Sequence, residues 1–150
     1  MAKPTAENEP TELDEMTHVE LRTMHGNATT AILFAKAIQW GAVGLALMVF
    51  TAAIFVDRAA SPNYPLTGLL SVAIILFACG MIFLLFMYQM WQFNEIKRAR
   101  LIETLFSSYC RRVNNIESRR ERNVERYTML VFKMAVVVGS AVISLMAIRG

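Results

Sequence analysis

The chain has 150 residues, of which 55% are hydrophobic and 18% are charged, and its formal net charge is +3. Typical soluble domains contain roughly 45 to 50% apolar and about 25% charged residues, so this composition indicates a membrane protein. Two cysteines exclude a disulfide-rich secreted scaffold, seven glycines exclude a collagen, and the hydrophobic content excludes a disordered chain.

Residues 1–29 are predicted to form an acidic tail that contains a short amphipathic helix. The segment Thr11-Glu-Leu-Asp14 resembles a capping box at the start of this helix, and Gly26 is its expected end. His18 and His25 lie on one face of the helix, but a spacing of seven residues is too wide for a pair of metal ligands on adjacent turns. We therefore expect no metal site here.

Three apolar segments follow, and each is long enough to cross a bilayer, which needs about 20 predominantly apolar residues in a helix. The predicted transmembrane helices are residues 30–56, 66–91 and 127–148. Residues 57–65 contain two prolines and are expected to form a short hairpin loop between the first two helices. The predicted fold is therefore all-α, a polytopic integral membrane protein with three transmembrane helices.

Polar residues are rare in these segments. Lys133 lies two turns inside the third segment, and Lys36 lies near the start of the first. A lysine near a helix end can extend its flexible stem to the headgroups, so both are expected to snorkel rather than to remain inside the membrane. Further polar residues inside the three segments include Gln39, Gln89, Thr51, Thr67, Ser71, Ser140 and Ser144.

Residues 92–126 are predicted to form a basic helical segment that continues the second transmembrane helix. The segment has neither glycine nor proline, and its apolar residues recur every three or four positions. Because the chain must return to the membrane, a turn is expected at Asn114-Asn115. The result is either a helical hairpin or a helix lying flat on the headgroups.

The charge of this segment predicts the orientation. It contains nine lysines and arginines against five glutamates, so the positive-inside rule places it in the cytoplasm. Three crossings then place the N-terminus in the cytoplasm and the C-terminus on the opposite side. Trp40, Tyr88, Trp91 and Tyr127 would gather at the cytoplasmic interface, as aromatic rings prefer. In a bacterium the predicted location is the inner, cytoplasmic membrane.

The arginines of this segment admit three interpretations: positive-inside topology with pairing to glutamates, binding to anionic lipid headgroups, and binding to nucleic acid or a calmodulin-like protein. No aromatic interleaving supports nucleic acid, so none is expected. The residues predicted to contact lipid headgroups or a partner are Lys36, Trp40, Trp91, Arg111, Arg112, Arg119, Arg120, Arg122 and Lys133.

Small residues predict where helices pack, because they let two backbones approach closely in lipid. The first and third segments carry such residues at spacings of four, and the predicted packing residues are Ala37, Gly41, Ala42, Ala46, Ala135, Gly139, Ser140 and Ser144. The second segment is bulkier, and its face with Phe77, Phe83, Leu84, Leu85 and Phe86 is expected to contact lipid or a partner.

No catalytic, cofactor-binding or metal-binding constellation is present in the sequence, and no small-molecule substrate is indicated. The leading hypothesis is a non-enzymatic accessory or scaffolding subunit that packs against a larger membrane complex or against itself, in contact with membrane lipids. One alternative is a self-assembling pore or effector, channel-like or holin-like, lined weakly by Ser140 and Ser144. The other is a membrane-bound sensor or regulator whose acidic N-terminal helix contacts the basic segment.

Overall fold

The computed structural model describes residues 14–60, 64–105 and 119–149, with side chains described except at 64, 65, 119–123 and 149. These residues form three α-helices: α1 (Glu15–Ala59, 45 residues), α2 (Tyr64–Thr104, 41 residues) and α3 (Arg119–Arg149, 31 residues). Each helix is long and apolar enough to cross a membrane. The all-helical class and the three apolar helices are therefore confirmed.

α1 begins at an N-cap aspartate. The side chain of Asp14 accepts a hydrogen bond from the backbone N–H of Thr17 at 3.0 Å, which satisfies one of the N–H groups that the first helical turn leaves unpaired. Thr11, the predicted start of the capping box, lies outside the described residues.

The prediction that Gly26 ends a short helix is wrong, because α1 continues through it to Ala59 without a break. Glycine costs about 1 kcal/mol in a helix interior, but it does not require a turn. The next turn contributes Ala28, which is buried, and this packing holds the helix together across the weak position. The acidic helix and the first apolar segment are therefore a single helix.

The N-cap should make the start of α1 sensitive to acid. Hydrogen bonding by Thr17, through its side chain and its backbone N–H, lowers the pKa of the Asp14 carboxyl from 3.8. The cap is therefore formed above pH 3.8 and is lost as the pH falls through the lower pKa of the folded state. We expect the Thr17 amide resonance to shift over this acid range as the first turn frays.

The variant Asp14→Asn is the control for this titration. Asparagine accepts the same hydrogen bond at every pH, so the shift of the Thr17 amide should disappear while the helix start is retained. An unchanged acid titration in Asp14→Asn would assign the effect to another group.

α2 passes from the second apolar segment into the basic segment without a break and ends at Thr104. The predicted turn at Asn114-Asn115 and the residues Cys110, Arg111 and Arg112 lie outside the described part of the chain. The choice between a hairpin and a surface helix therefore stays a prediction.

All three helices pack against one another around a small apolar core. Phe50 of α1, Leu85 of α2 and Val137 of α3 are almost fully buried at its centre. The ring of Phe50 meets the ring of Phe77 edge to face, with centroids 5.8 Å apart. This edge-to-face geometry is a preferred arrangement of aromatic pairs, and it fixes α1 against α2.

The bulky face of α2 divides between the core and the outside. Phe83 and Phe86 are exposed, as expected for a face toward lipid or a partner, whereas Leu85 is buried and Phe77 packs against the core. The expectation that these residues form one outward face is corrected, because residues adjacent in a helix point about 100° apart.

α1 and α2 remain together beyond the apolar bundle. We call residues 15–35 of α1 and 92–104 of α2 the two-helix extension. Its inner side buries small and branched apolar residues: Ala28, Ala35, Ile96, Ala99 and Ile102. The His25 Nε2 atom lies 3.3 Å from the Glu103 Oε1 atom across the pair. At 1.5 Å per residue, the α1 part of the extension is about 30 Å long.

Candidate functional site

The most polar feature of the bundle joins all three helices at the end that carries the two-helix extension. We call Gln39, Gln89 and Lys133 the polar cluster. Lys133 Nζ of α3 donates to Gln39 Oε1 of α1 at 2.7 Å, and Gln39 Nε2 donates to Gln89 Oε1 of α2 at 3.2 Å. The same Gln39 Nε2 lies 3.5 Å from the backbone oxygen of Leu85. One amide side chain thus connects both neighbouring helices.

Burial makes this cluster energetically important. Gln39 is 1% exposed and Lys133 is 4% exposed. Polar groups removed from water cost free energy unless they are hydrogen-bonded, and an ammonium group costs more than an amide. The Lys133 ammonium also lies 5.0 Å from the centroid of the Trp40 ring, a cation–π distance. Gln39 and Trp40, neighbours on α1, together hold the charge.

Lys133 shares the cationic side of the bundle with Arg126, and its snorkelling to the headgroups stays a prediction, but the side chain takes an inner path. Its side chain does not run along the outside of α3 toward water, because the amide of Gln39 offers a hydrogen-bond acceptor inside the bundle at closer reach. Lys36 is exposed, as expected for a lysine at the end of an apolar segment. The two lysines therefore behave differently although the sequence places both near helix ends.

A cavity of about 300 Å³ opens beside the polar cluster, and we call it the cationic cavity. Among the described residues that line it, three are cations, Lys36, Arg126 and Lys133, and one is an anion, Glu125. The described part of the lining therefore carries a net charge of +2. The other polar residues of its wall are the three amides Gln39, Gln89 and Gln92, with the indole of Trp40.

The predicted packing residues divide into buried and exposed groups. Ala42 and Ala46 are buried between the helices, whereas Ala37, Gly41 and Ala135 are exposed. A side chain at Gly41 or Gly139 would meet no atom of another helix within 4 Å. The face that carries Ala37 and Gly41 therefore makes no close helix contact within the described chain, because packing is centred on the face of Ala42 and Ala46.

The two serines of α3 donate hydrogen bonds to backbone carbonyl oxygens. Ser144 is fully buried, and its hydroxyl donates to the carbonyl oxygen of Phe50 across the interface at 3.0 Å. Ser140 donates to the carbonyl oxygens of Val136 and Val137 in its own helix. Ser144 thus bonds α3 to α1 directly, and its hydroxyl is not directed at an opening.

Of the predicted interfacial aromatics, Trp40 contacts the Lys133 ammonium of the polar cluster. Trp91 is exposed, with its ring centroid 6.2 Å from Phe34 and 5.9 Å from Tyr88. Trp40 is also exposed on its outer side. Arg119, Arg120 and Arg122 lie at the start of α3, where side chains are not described.

The described residues contain no group of three or more His, Cys, Asp or Glu side chains that could hold a metal ion. The chain matches no protein-family model, no curated protein and no solved structure in the comparisons made. The function is therefore inferred from the residues and geometry of this chain.

Sequence reasoning missed the polar cluster as a unit. Each of its three members was recognised separately as a polar residue of an apolar segment. Along the chain, however, Gln89 is 50 residues from Gln39 and Lys133 is 94 residues from it. The available signal was that each of the three segments carries one long polar side chain near the same predicted membrane interface. Such residues in lipid are expected to face the bundle interior and to find partners there.

Proposed function

We propose that this protein is a non-enzymatic accessory subunit of the membrane, which docks a larger membrane protein through its two-helix extension. The observation that supports the proposal is that residues 15–29 and 92–104 of the extension expose large apolar side chains although they lie beyond the apolar segments. Val19 is 59% exposed on α1, and Leu101 is 69% exposed on α2. Met16, next to the start of α1, and Leu105, immediately after the end of α2, are also exposed.

The exposed apolar side chains of the extension need a different explanation from those of the bundle. Lipid covers apolar residues within a membrane, but an apolar surface in water requires a protein partner or a membrane surface to cover it. Leu101 lies among exposed polar and basic residues, with Lys97 and Arg98 preceding it by one turn. A partner surface with an apolar centre and acidic rim would match this composition.

The orientation belongs to the same proposal. The excess of lysine and arginine in residues 92–126 favours placing the extension in the cytoplasm, with the N-terminus on the same side and the C-terminus opposite. The partner is then a membrane protein with a cytoplasmic surface within about 30 Å of the membrane, the length of the α1 part of the extension.

The test uses the full-length tagged chain, extracted from its own cells in mild detergent and separated on a native gel, with mass spectrometry of everything that migrates with it. A defined larger membrane protein should be recovered with the chain. Leu101→Glu should reduce that recovery about tenfold, because a charge buried in the apolar centre of an interface costs at least about 1.4 kcal/mol.

The matched control is Asn94→Glu, which adds the same charge on the outer side of α2, two turns nearer the bundle, at a residue that is already polar and exposed. It should leave recovery of the partner unchanged. A chain that migrates alone, or as multiples of itself without other proteins, would contradict the proposal and favour self-assembly.

A further inference from the structure

The cationic cavity has the charge and hydrogen-bond donors of an anion site. Its three cations reach it from two helices, Lys36 from α1 and both Arg126 and Lys133 from α3, against the single carboxylate of Glu125 among the described lining residues. A volume of about 300 Å³ is at the lower end of the range for small-molecule pockets and holds roughly ten waters by liquid volume. The cavity is therefore large enough for a phosphate group and part of what carries it.

Lys133, Gln89 and Gln92 line this space and offer it hydrogen-bond donors. An ammonium group has three N–H donors, and the Gln39 hydrogen bond and Trp40 ring account for two directions around Lys133. Gln89 accepts with Oε1, so its Nε2 remains as a donor. Gln92 is 3% exposed, lines the cavity and forms no hydrogen bond with the residues that the structure describes.

The surroundings of the cavity distinguish between a lipid and a soluble anion. Two of its wall residues, Trp40 and Met129, are also exposed on the outside of the bundle. Trp40 lies one turn after Lys36, near the predicted cytoplasmic interface, where aromatic rings prefer the headgroup level. An amphiphile could therefore place its phosphate in the cavity and its acyl chains along the outer surface of the bundle.

We propose that the cationic cavity binds the phosphate of an anionic phospholipid, with Lys36, Arg126 and Lys133 supplying the charge and Gln92 and Gln89 the amide donors. Charge-assisted hydrogen bonds from lysine and arginine to phosphate are stronger than those between neutral groups, and three cations around one phosphate select an anionic headgroup over a zwitterionic one. This site is independent of the accessory-subunit proposal, because it needs only the described bundle.

The chain itself supplies a reporter. It has two tryptophans, so in the variant Trp91→Phe all indole emission comes from Trp40 in the cavity wall. The full-length variant in uncharged detergent is titrated with phosphatidylglycerol that carries brominated acyl chains, and quenching of Trp40 is followed. We expect saturable quenching at lower concentrations than with brominated phosphatidylcholine.

Three further variants locate the binding. Lys36→Gln, at an exposed position that should not affect folding, and Lys133→Met should each raise the half-saturating concentration about tenfold, the effect of one charge-assisted hydrogen bond. Lys97 is exposed, its ammonium lies over the Phe93 ring, and it is not part of the cavity lining. Lys97→Gln therefore removes the same charge outside the cavity and should change the half-saturating concentration less than twofold. Circular dichroism confirms that each variant remains helical.

The alternatives give different results. Equal quenching by the two lipids, or equal effects of Lys36→Gln and Lys97→Gln, would overturn the proposal. If inorganic phosphate alone changes Trp40 emission with the same dependence on Lys36, and the anionic lipid shows no preference, the cavity is a phosphate site for a soluble anion and the lipid assignment is wrong.

Discussion

Gln39→Leu is expected to destabilise the three-helix bundle by about 3 kcal/mol, the largest effect of any single polar substitution in it. The change removes the acceptor of Lys133 and the donor to Gln89 at once, and it leaves a nearly fully buried ammonium with an apolar neighbour. A buried charge that loses its partner costs more than the net contribution of the hydrogen bond itself. Reversible unfolding in mixed micelles measures the difference.

Lys133→Met separates the cost of the stranded charge from the loss of the hydrogen bond. Methionine fills a similar volume without a charge, so this variant should lose less than about 1.5 kcal/mol. In the double variant, Gln39→Leu should then cost much less than it does alone, because no ammonium remains to be stranded. Additive effects of the two substitutions would show that Lys133 reaches water in the membrane and does not depend on Gln39.

The apolar helices were predictable because their signal is local. Long apolar runs with at most one charge around Phe50, Phe83 and Val137 indicate membrane-spanning helices by hydropathy alone, and the structure has a long apolar helix at each. The absence of glycine and proline from residues 92–126 likewise predicts that α2 continues beyond the second apolar segment, and the helix does so as far as Thr104. These features depend on residues within one helix, which a sequence displays directly.

The polar cluster depends on rotation of one helix against another, which the sequence does not display. Lys133 has the same general position near a helix end as Lys36, so the same snorkelling was expected of both. What separates them is that Lys133 faces Gln39 across the α1–α3 interface. Gly26 was predicted wrongly for a related reason: a local stop signal was overruled by the burial of Ala28 against the neighbouring helix.

Small residues at a spacing of four predicted the helix-packing faces only partly. α1 carries two such pairs, Ala37 with Gly41 and Ala42 with Ala46, and nothing in their spacing says which one faces the bundle. The structure buries the second pair and exposes the first. The exposed pair is then a surface at which another transmembrane helix could approach α1 closely. An alanine-to-leucine substitution in each pair tests this, with bundle stability and partner recovery as the two measurements.

Ala46→Leu is expected to destabilise the bundle by about 1 to 3 kcal/mol. Ala46 is fully buried in the core cluster that includes Val43 and Phe50, so three additional carbon atoms require α1 to move away from its neighbours. Overpacking of this kind also weakens the van der Waals contacts that hold helices together in lipid. Unfolding in mixed micelles should show the loss in the isolated protein.

Ala37→Leu is the matched control, because it makes the same substitution nine residues earlier in the same helix at an exposed position. It should leave the isolated bundle as stable as the unchanged chain, within about 0.5 kcal/mol. If α1 meets a partner's helix along Ala37 and Gly41, Ala37→Leu should nevertheless reduce recovery of that partner from membranes, whereas normal recovery would confine docking to the two-helix extension. Equal destabilisation by both substitutions would contradict the structure, since among the described helices Ala46 is buried against its neighbours and Ala37 is exposed.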